Sequence, residues 1–267
     1  MDAETKARKE ALETALKETD KLIDMFSDVL KGQDAKEHPA RDFSAAASRI
    51  MGLETEEKKL KTLFPELQES AADERFDMSL NELCDCAKKC ERCKLCSTRK
   101  NVVFGEGCCD HPVVMVIGEG PGETEDETGR PFVGKAGIYL DAWLRSISLS
   151  RESNVYIANI IKCRPPQNRD PQTDEKEACL AFIKQQIKLI QPRAILCLGK
   201  PASTELTGLA DASMGSLRGK FYFYESSIPM ICTYHPAAVL RDQTLRRPVW
   251  EDLQKLARFL SLEIVRK

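Results

Sequence analysis

Two short stretches of this chain carry residue types that could do chemistry. Gly118-Glu119-Gly120-Pro121-Gly122 follows the apolar run Val113 to Ile117, and Tyr234-His235-Pro236-Ala237 follows the apolar run Ile228 to Cys232. Each sets one ionisable side chain on a turn at the carboxyl end of an expected strand, where open α/β sheets hold their ligands. A carboxylate and an imidazole brought together there can share proton transfer and charge stabilisation. Glycines at 118, 120 and 122 let the backbone approach a ligand, and Pro121 stiffens the turn so that Glu119 is held. A phosphate-binding turn fits poorly. The spacing is not G-x-G-x-x-G, no helix is expected directly behind it, and Glu123, Glu125, Asp126 and Glu127 would repel an anion. His235 is one of three histidines, and the others, His38 and His111, fall in expected loops.

Eleven cysteines form a second chemical signal. An odd number in a chain of this size argues against a disulfide scaffold and for reduced thiols that hold metal. Cys90-Glu91-Arg92-Cys93 is a C-x-x-C pair, and Cys163 and Cys179 are single thiols sixteen positions apart. Four thiolates drawn from three segments favour an iron-sulfur cluster over structural zinc, which usually shows two such pairs. Cys93 and Cys96 make a second C-x-x-C, and Cys86 stands close to Cys90, so spacing alone leaves the pair open.

These residues need a scaffold. At 267 residues and 42% hydrophobic, the chain can bury one full core with an extension left over. Residues 1 to 80 carry 13 Lys+Arg against 19 Asp+Glu, net -6, which leaves net +4 on residues 81 to 267. A modestly basic body can neutralise a few phosphates. The first thirty residues are charged throughout and lack the apolar stretch of a leader, and no run is long enough to span a bilayer, so a cytoplasmic location away from membranes is expected. Leu12, Leu16, Thr19, Ile23, Phe26 and Leu30 mark one face of an expected helix over 3 to 31, and a second is expected over 44 to 64. Residues 1 to 80 thus read as a helical extension that packs on itself or the body, or that serves a protein partner or self-association. From about Leu83, short β-branched runs alternate with helix-length segments. Strands are expected over Val113 to Ile117, Val155 to Ile161, Ala194 to Leu198 and Pro229 to Thr233, with Phe221 to Tyr224 as a hairpin partner for the last. Helices are expected over Gly134 to Ser148, Asp174 to Ile190, Pro201 to Thr207 and Pro248 to Ile264. The alternation predicts a three-layer α/β/α sandwich around a mainly parallel four-stranded sheet over residues 81 to 267.

Six motifs in order then resemble the type 4 uracil-DNA glycosylases: Cys90-x-x-Cys93-x-Leu95-x-x-x-Arg99, Val103-Phe104-Gly105-Glu106-Gly107, Gly118 to Gly122, Gly129-Arg130-Pro131-Phe132-Val133-Gly134, Asn159-Ile160-Ile161-Lys162-Cys163-Arg164-Pro165-Pro166, and Tyr234 to Ala237. The resemblance runs from about Lys88 to Leu260. It implies excision of uracil from DNA in base excision repair, and a 4Fe-4S cluster on Cys90, Cys93, Cys163 and Cys179. It also proposes roles: Phe132 stacks on the extruded base, Asn159 reads its edge, and Glu125 stands near C5 and excludes a methyl group. His235 bonds the uracil O2 as negative charge develops there, assisted by amides of the Gly118 to Gly122 turn, Gly118 and Gly120 among them. Glu119 orients or activates water. Leu240 is the candidate wedge and Arg241 a phosphate contact, while Arg164, Asn168 and Arg169 are candidate backbone contacts.

A rival from another class is a non-catalytic binder of uracil-DNA or other nucleic acid with a structural metal site made by four cysteines. A relative that traps uracil-DNA uses an inserted loop with a histidine, whereas Arg164-Pro165-Pro166-Gln167-Asn168-Arg169 here has none. A zinc-stapled module leaves the pairing of Glu119 with His235 unexplained.

Overall fold

The computed structural model describes residues 78–265. The helices expected over 3 to 31 and 44 to 64, and with them nearly all of the 1 to 80 extension and its partner role, lie outside the described residues.

The described chain opens with α1 (Leu80–Lys88). Its N-cap Ser79 accepts from the Glu82 amide at 3.3 Å, and the Glu82 carboxylate accepts from the Ser79 amide at 2.8 Å, a reciprocal capping box. β1 (Glu106–Gly107), β2 (Val114–Gly118), α2 (Glu123–Thr128), α3 (Lys135–Ser146) and β3 (Val155–Asn159) follow. After them come α4 (Thr173–Ile190), β4 (Ile195–Leu198), α5 (Gly199–Thr207), α6 (Met214–Leu217), β5 (Phe221–Tyr224), β6 (Ile228–Thr233), α7 (Pro236–Arg241) and α8 (Arg246–Phe259).

The strands form one sheet in the order β1-β3-β2-β4-β6-β5. The four inner strands are parallel. The sheet therefore has six strands where four were expected, because antiparallel β1 and β5 close its two edges. β5 is the expected hairpin partner of β6. β1 is two residues long, too short for an alternation pattern to reveal it.

Both faces of the sheet are covered, so its strands are apolar without interruption. Met115 and Ile117 of β2 face Leu83 of α1 and Phe182, Ile183 and Ile187 of α4, all buried. Val114 and Val116 face the other way, onto Leu140 and Leu144 of α3 and Val249, Leu253 and Leu256 of α8. Each such side chain contributes roughly 1.5–3 kcal/mol by leaving water.

Two further boundaries differ from expectation. A helix does open directly behind the glycine turn: α2 begins at Glu123, with Gly122 as its N-cap. Glu123, Glu125 and Asp126 sit in its first turn, where acidic side chains favour the positive end of the helix dipole. The last helix spans 246 to 259, earlier than expected, and the chain beyond it runs back so that the Val265 amide donates to the Ser146 carbonyl at 3.0 Å.

Chain order runs from β2 outward to β3, then returns to β4 on the other side of β2. That reversal makes a crevice at the carboxyl ends of β2 and β4, the usual binding position in such sheets.

Candidate active site

Gly118 ends β2 opposite Asn159, which ends β3. The close fit there requires glycine. A Cβ on residue 118 would stand 2.5 Å from both Asn159 Oδ1 and Phe132 Cζ. Gly118 thus sits behind the pocket and lets two larger side chains converge in front of it. Glu119 follows on the rim, half-buried, and lines a cleft of about 570 Å³. Burial first, and the charge of Asp170 second, push its carboxyl above the ordinary 4.5, against a pull from Lys176.

Phe132 reaches the cleft from the loop between α2 and α3, buried and with φ +51°. That left-handed backbone is uncommon for a bulky residue and persists only where neighbours impose it. Three groups do so. The Glu125 carboxylate accepts from Val133 and Gly134 amides at 3.0 and 2.9 Å, and from Gly122 at 3.1 Å. Arg151, buried, donates to the Pro131 and Phe132 carbonyls at 3.0 and 2.8 Å, while Asp141 and Glu106 hold the same guanidinium. Gly137 leaves the Phe132 carbonyl its space, since a Cβ there would lie 1.8 Å from that oxygen.

The cleft-lining Asn159 is fully buried, and neither side-chain atom, Nδ2 or Oδ1, has a hydrogen-bond partner. A buried carboxamide with all its capacity unspent is costly unless something else arrives to take it up.

His235 caps α7 and leans over the same space. Its ring centroid is 5.6 Å from that of Phe132, tilted by 36°. Burial first, and the Arg241 charge second, push its pKa down to about 4, with Glu125 pulling the other way. The imidazole is therefore neutral near pH 7. Its Nδ1 accepts from the Ala237 amide at 3.2 Å, so the remaining proton sits on Nε2. A neutral donor results, held by the first turn of a helix.

The cleft thus gathers Glu119, Gly120, Glu125, Phe132, Asn159, Asn168, Arg169, His235 and Arg241. Arg164 and Leu240 stand outside its walls. Arg164 Nε donates to Asn168 Oδ1 at 2.8 Å, and Arg169 is held bidentate by buried Glu175 at 2.8 and 2.6 Å, so both shape the loop after β3. Leu240 is 41% exposed on α7. Asp170 and Lys200 also line the cleft and were missed from sequence. Asp170 adjoins the named Arg169, and Lys200 follows β4, so the strand-end rule itself would have found both.

On the far side of β3, Cys90, Cys93, Cys163 and Cys179 line one small cavity together with Cys96. All eleven cysteines are free thiols. Arg99 Nη1 donates to Cys163 Sγ at 3.3 Å, and the Lys162 amide donates to Cys179 Sγ at 3.3 Å, contacts that favour sulfur as an anion. Burial works against the anion, raising Cys163 and pushing Cys179 up to about 12. A metal cation in place of the protons resolves that opposition. Among the described residues no three His, Cys, Asp or Glu side chains stand close enough together to hold a single metal ion, and the thiols share the wall of the cavity without converging on one point.

The sequence family described as the uracil DNA glycosylase superfamily matches residues 104–254, which include every cleft residue named above. The chain belongs to that superfamily. Within it, the chain is 43% identical over 190 residues to a type-4 uracil-DNA glycosylase of Saccharolobus solfataricus, covering 68% of this chain and 87% of that one. A type-4 uracil-DNA glycosylase of Thermotoga maritima is 44% identical over 178 residues, 66% of this chain and 92% of its own. Among the described residues no helix is long and apolar enough to cross a membrane.

Proposed function

We propose that this protein extrudes uracil from DNA and hydrolyses its N-glycosidic bond, leaving an abasic site for base excision repair. The observation that carries the reading is the unpartnered Asn159 carboxamide, buried beside Phe132 and His235 in one cleft. Its oxygen would accept from uracil N3-H and its nitrogen donate to O4, whereas cytosine reverses both polarities. Phe132 would stack on the flipped base and so replace the stacking that the base gives up on leaving the duplex. Glu125, whose carboxylate braces the Phe132 loop, would wall the C5 side and leave a thymine methyl no room.

When the C1′–N1 bond breaks, its electron pair leaves with the base and positive charge remains on the sugar. His235 Nε2-H would donate to O2, a hydrogen bond that strengthens as that oxygen gains charge. Glu119 would offset the sugar's charge and take a proton from the water that bonds to C1′. Arg241 and Lys200 on the cleft wall supply cations for flanking phosphates, and exposed Leu240 would fill the gap left in the stack.

Cys90, Cys93, Cys163 and Cys179 would hold a 4Fe-4S cluster, which fits four thiols on one wall with N-H donors to two of them. Bound there, it supplies a cross-link between the segment before β1, the end of β3 and helix α4. Visible absorbance and an iron-to-protein ratio near four would support it, and a zinc content in place of iron would reject it.

The test of the activity uses an oligonucleotide with one uracil. Wild type should yield alkali-labile product, Glu119→Ala and His235→Ala far less, and intact oligonucleotide with wild type sinks the proposal.

A further inference from the structure

Lys162 is 1% exposed, and no carboxylate pairs with it among the described residues. Its ammonium donates to the Asn159 carbonyl at 2.8 Å and to Gln186 Oε1 at 2.5 Å, and it lies 5.9 Å from the Phe104 ring centroid. Gln186 is itself fixed, its Nε2 donating to the Phe104 carbonyl at 3.0 Å and the Tyr156 hydroxyl at 3.2 Å. Burying a lone cation is costly, and an apolar chain of equal length would fill the space more cheaply. The charge therefore calls for a task.

Asn159 supplies one. No hydrogen bond of its own orients the carboxamide, so its aim depends on the main chain to which it is attached and on the glycine-made gap in front. That main chain is gripped on both sides of one peptide unit: the Ile160 amide donates to the Gly118 carbonyl at 2.9 Å, and the Asn159 carbonyl receives the Lys162 ammonium. The Lys162 amide, at the other end of the same residue, donates to Cys179 Sγ.

We propose that Lys162 is a positioning residue for base recognition, clamping the Asn159 peptide from inside the core and tying that clamp to the thiol wall. The inference rests on the uracil reading of Asn159 and deepens it. The clamp acts on affinity for the base, not on the duplex or on iron.

The probe is free uracil as an inhibitor of excision, read alongside affinity for uracil-free duplex and the iron-to-protein ratio. Lys162→Met should raise the uracil inhibition constant roughly tenfold to a hundredfold, the range for a lost hydrogen bond to a charged group, with the other two readings at wild type. Should that variant lose iron or fail to fold, Gln186→Leu keeps the cation but removes its second acceptor, and a rise of about threefold or more is expected. Asn159→Ala separates the two ideas. If it loses uracil inhibition while Lys162→Met, or Gln186→Leu in its stead, keeps the wild-type constant, the clamp is overturned and the base reading stands. If Asn159→Ala itself binds uracil normally, the base reading falls and the clamp falls with it.

Discussion

His235 and Glu119 face one cleft, and burial favours the uncharged form of both, so it lowers the pKa of the imidazole and raises that of the carboxyl. Since the imidazole's pKa is lowered to about 4, it stays neutral across the working range. An unfolded chain would take up that proton first as pH falls, so the stability His235 contributes is complete above about 6.5 and is lost as pH drops toward 4. Glu119, raised above 4.5, protonates earlier than an exposed glutamate. The acid limb of kcat/KM should therefore have its midpoint above 4.5, and Glu119→Gln should remove that limb along with most of the rate. A midpoint near 4 that survives Glu119→Gln would assign the limb to His235 instead. His235→Ala should slow single-turnover excision about a hundredfold to a thousandfold, the usual cost of one donor at a developing oxyanion.

The loop that presents Phe132 depends on Arg151, which begins the turn before β3 and reaches back to two carbonyls about twenty positions earlier. Removing one member of a buried ion group typically costs about 3–5 kcal/mol. Arg151→Met should lower stability in urea by about that much and, by freeing the Phe132 carbonyl, raise KM for a uracil oligonucleotide more than it lowers kcat. Equal KM in a folded variant would leave Arg151 a purely structural role. Sequence could not reveal such devices. The four inner strands were legible because both faces are buried and Val114 to Ile117 or Ile195 to Leu198 read as unbroken apolar runs. Arg151 and Lys162 are buried charged residues whose partners, main-chain carbonyls among them, come from distant segments or from the preceding turn of the chain, and hydrophobic periodicity does not register them. Helix α2 is hard to read because acids after a glycine turn suggest repulsion of an anion, whereas here they suit a helix start.

Over the whole molecule, the base cleft and the thiol wall lie on opposite sides of one short stretch, Asn159 to Cys163. Chelating metal from the intact protein should loosen the loop after β3 and α4 before the rest of the sheet. Amide hydrogen exchange would register this as faster exchange around Lys162 to Cys179, with β2 and β4 still protected. Uniform loss of protection would show that the thiols staple the entire fold.

The hairpin joining β5 to β6 turns through the three exposed residues Glu225 to Ser227, of which Glu225 and Ser226 have positive φ, and the Ser227 amide closes the turn on the Tyr224 carbonyl at 3.1 Å. Because β6 starts there and delivers His235 at its far end, this turn marks the end of the sheet away from the cleft. A dye, a surface tether or a fused neighbour attached at Ser226 would leave the mouth open, so the protein could be anchored from behind while a duplex passes in front.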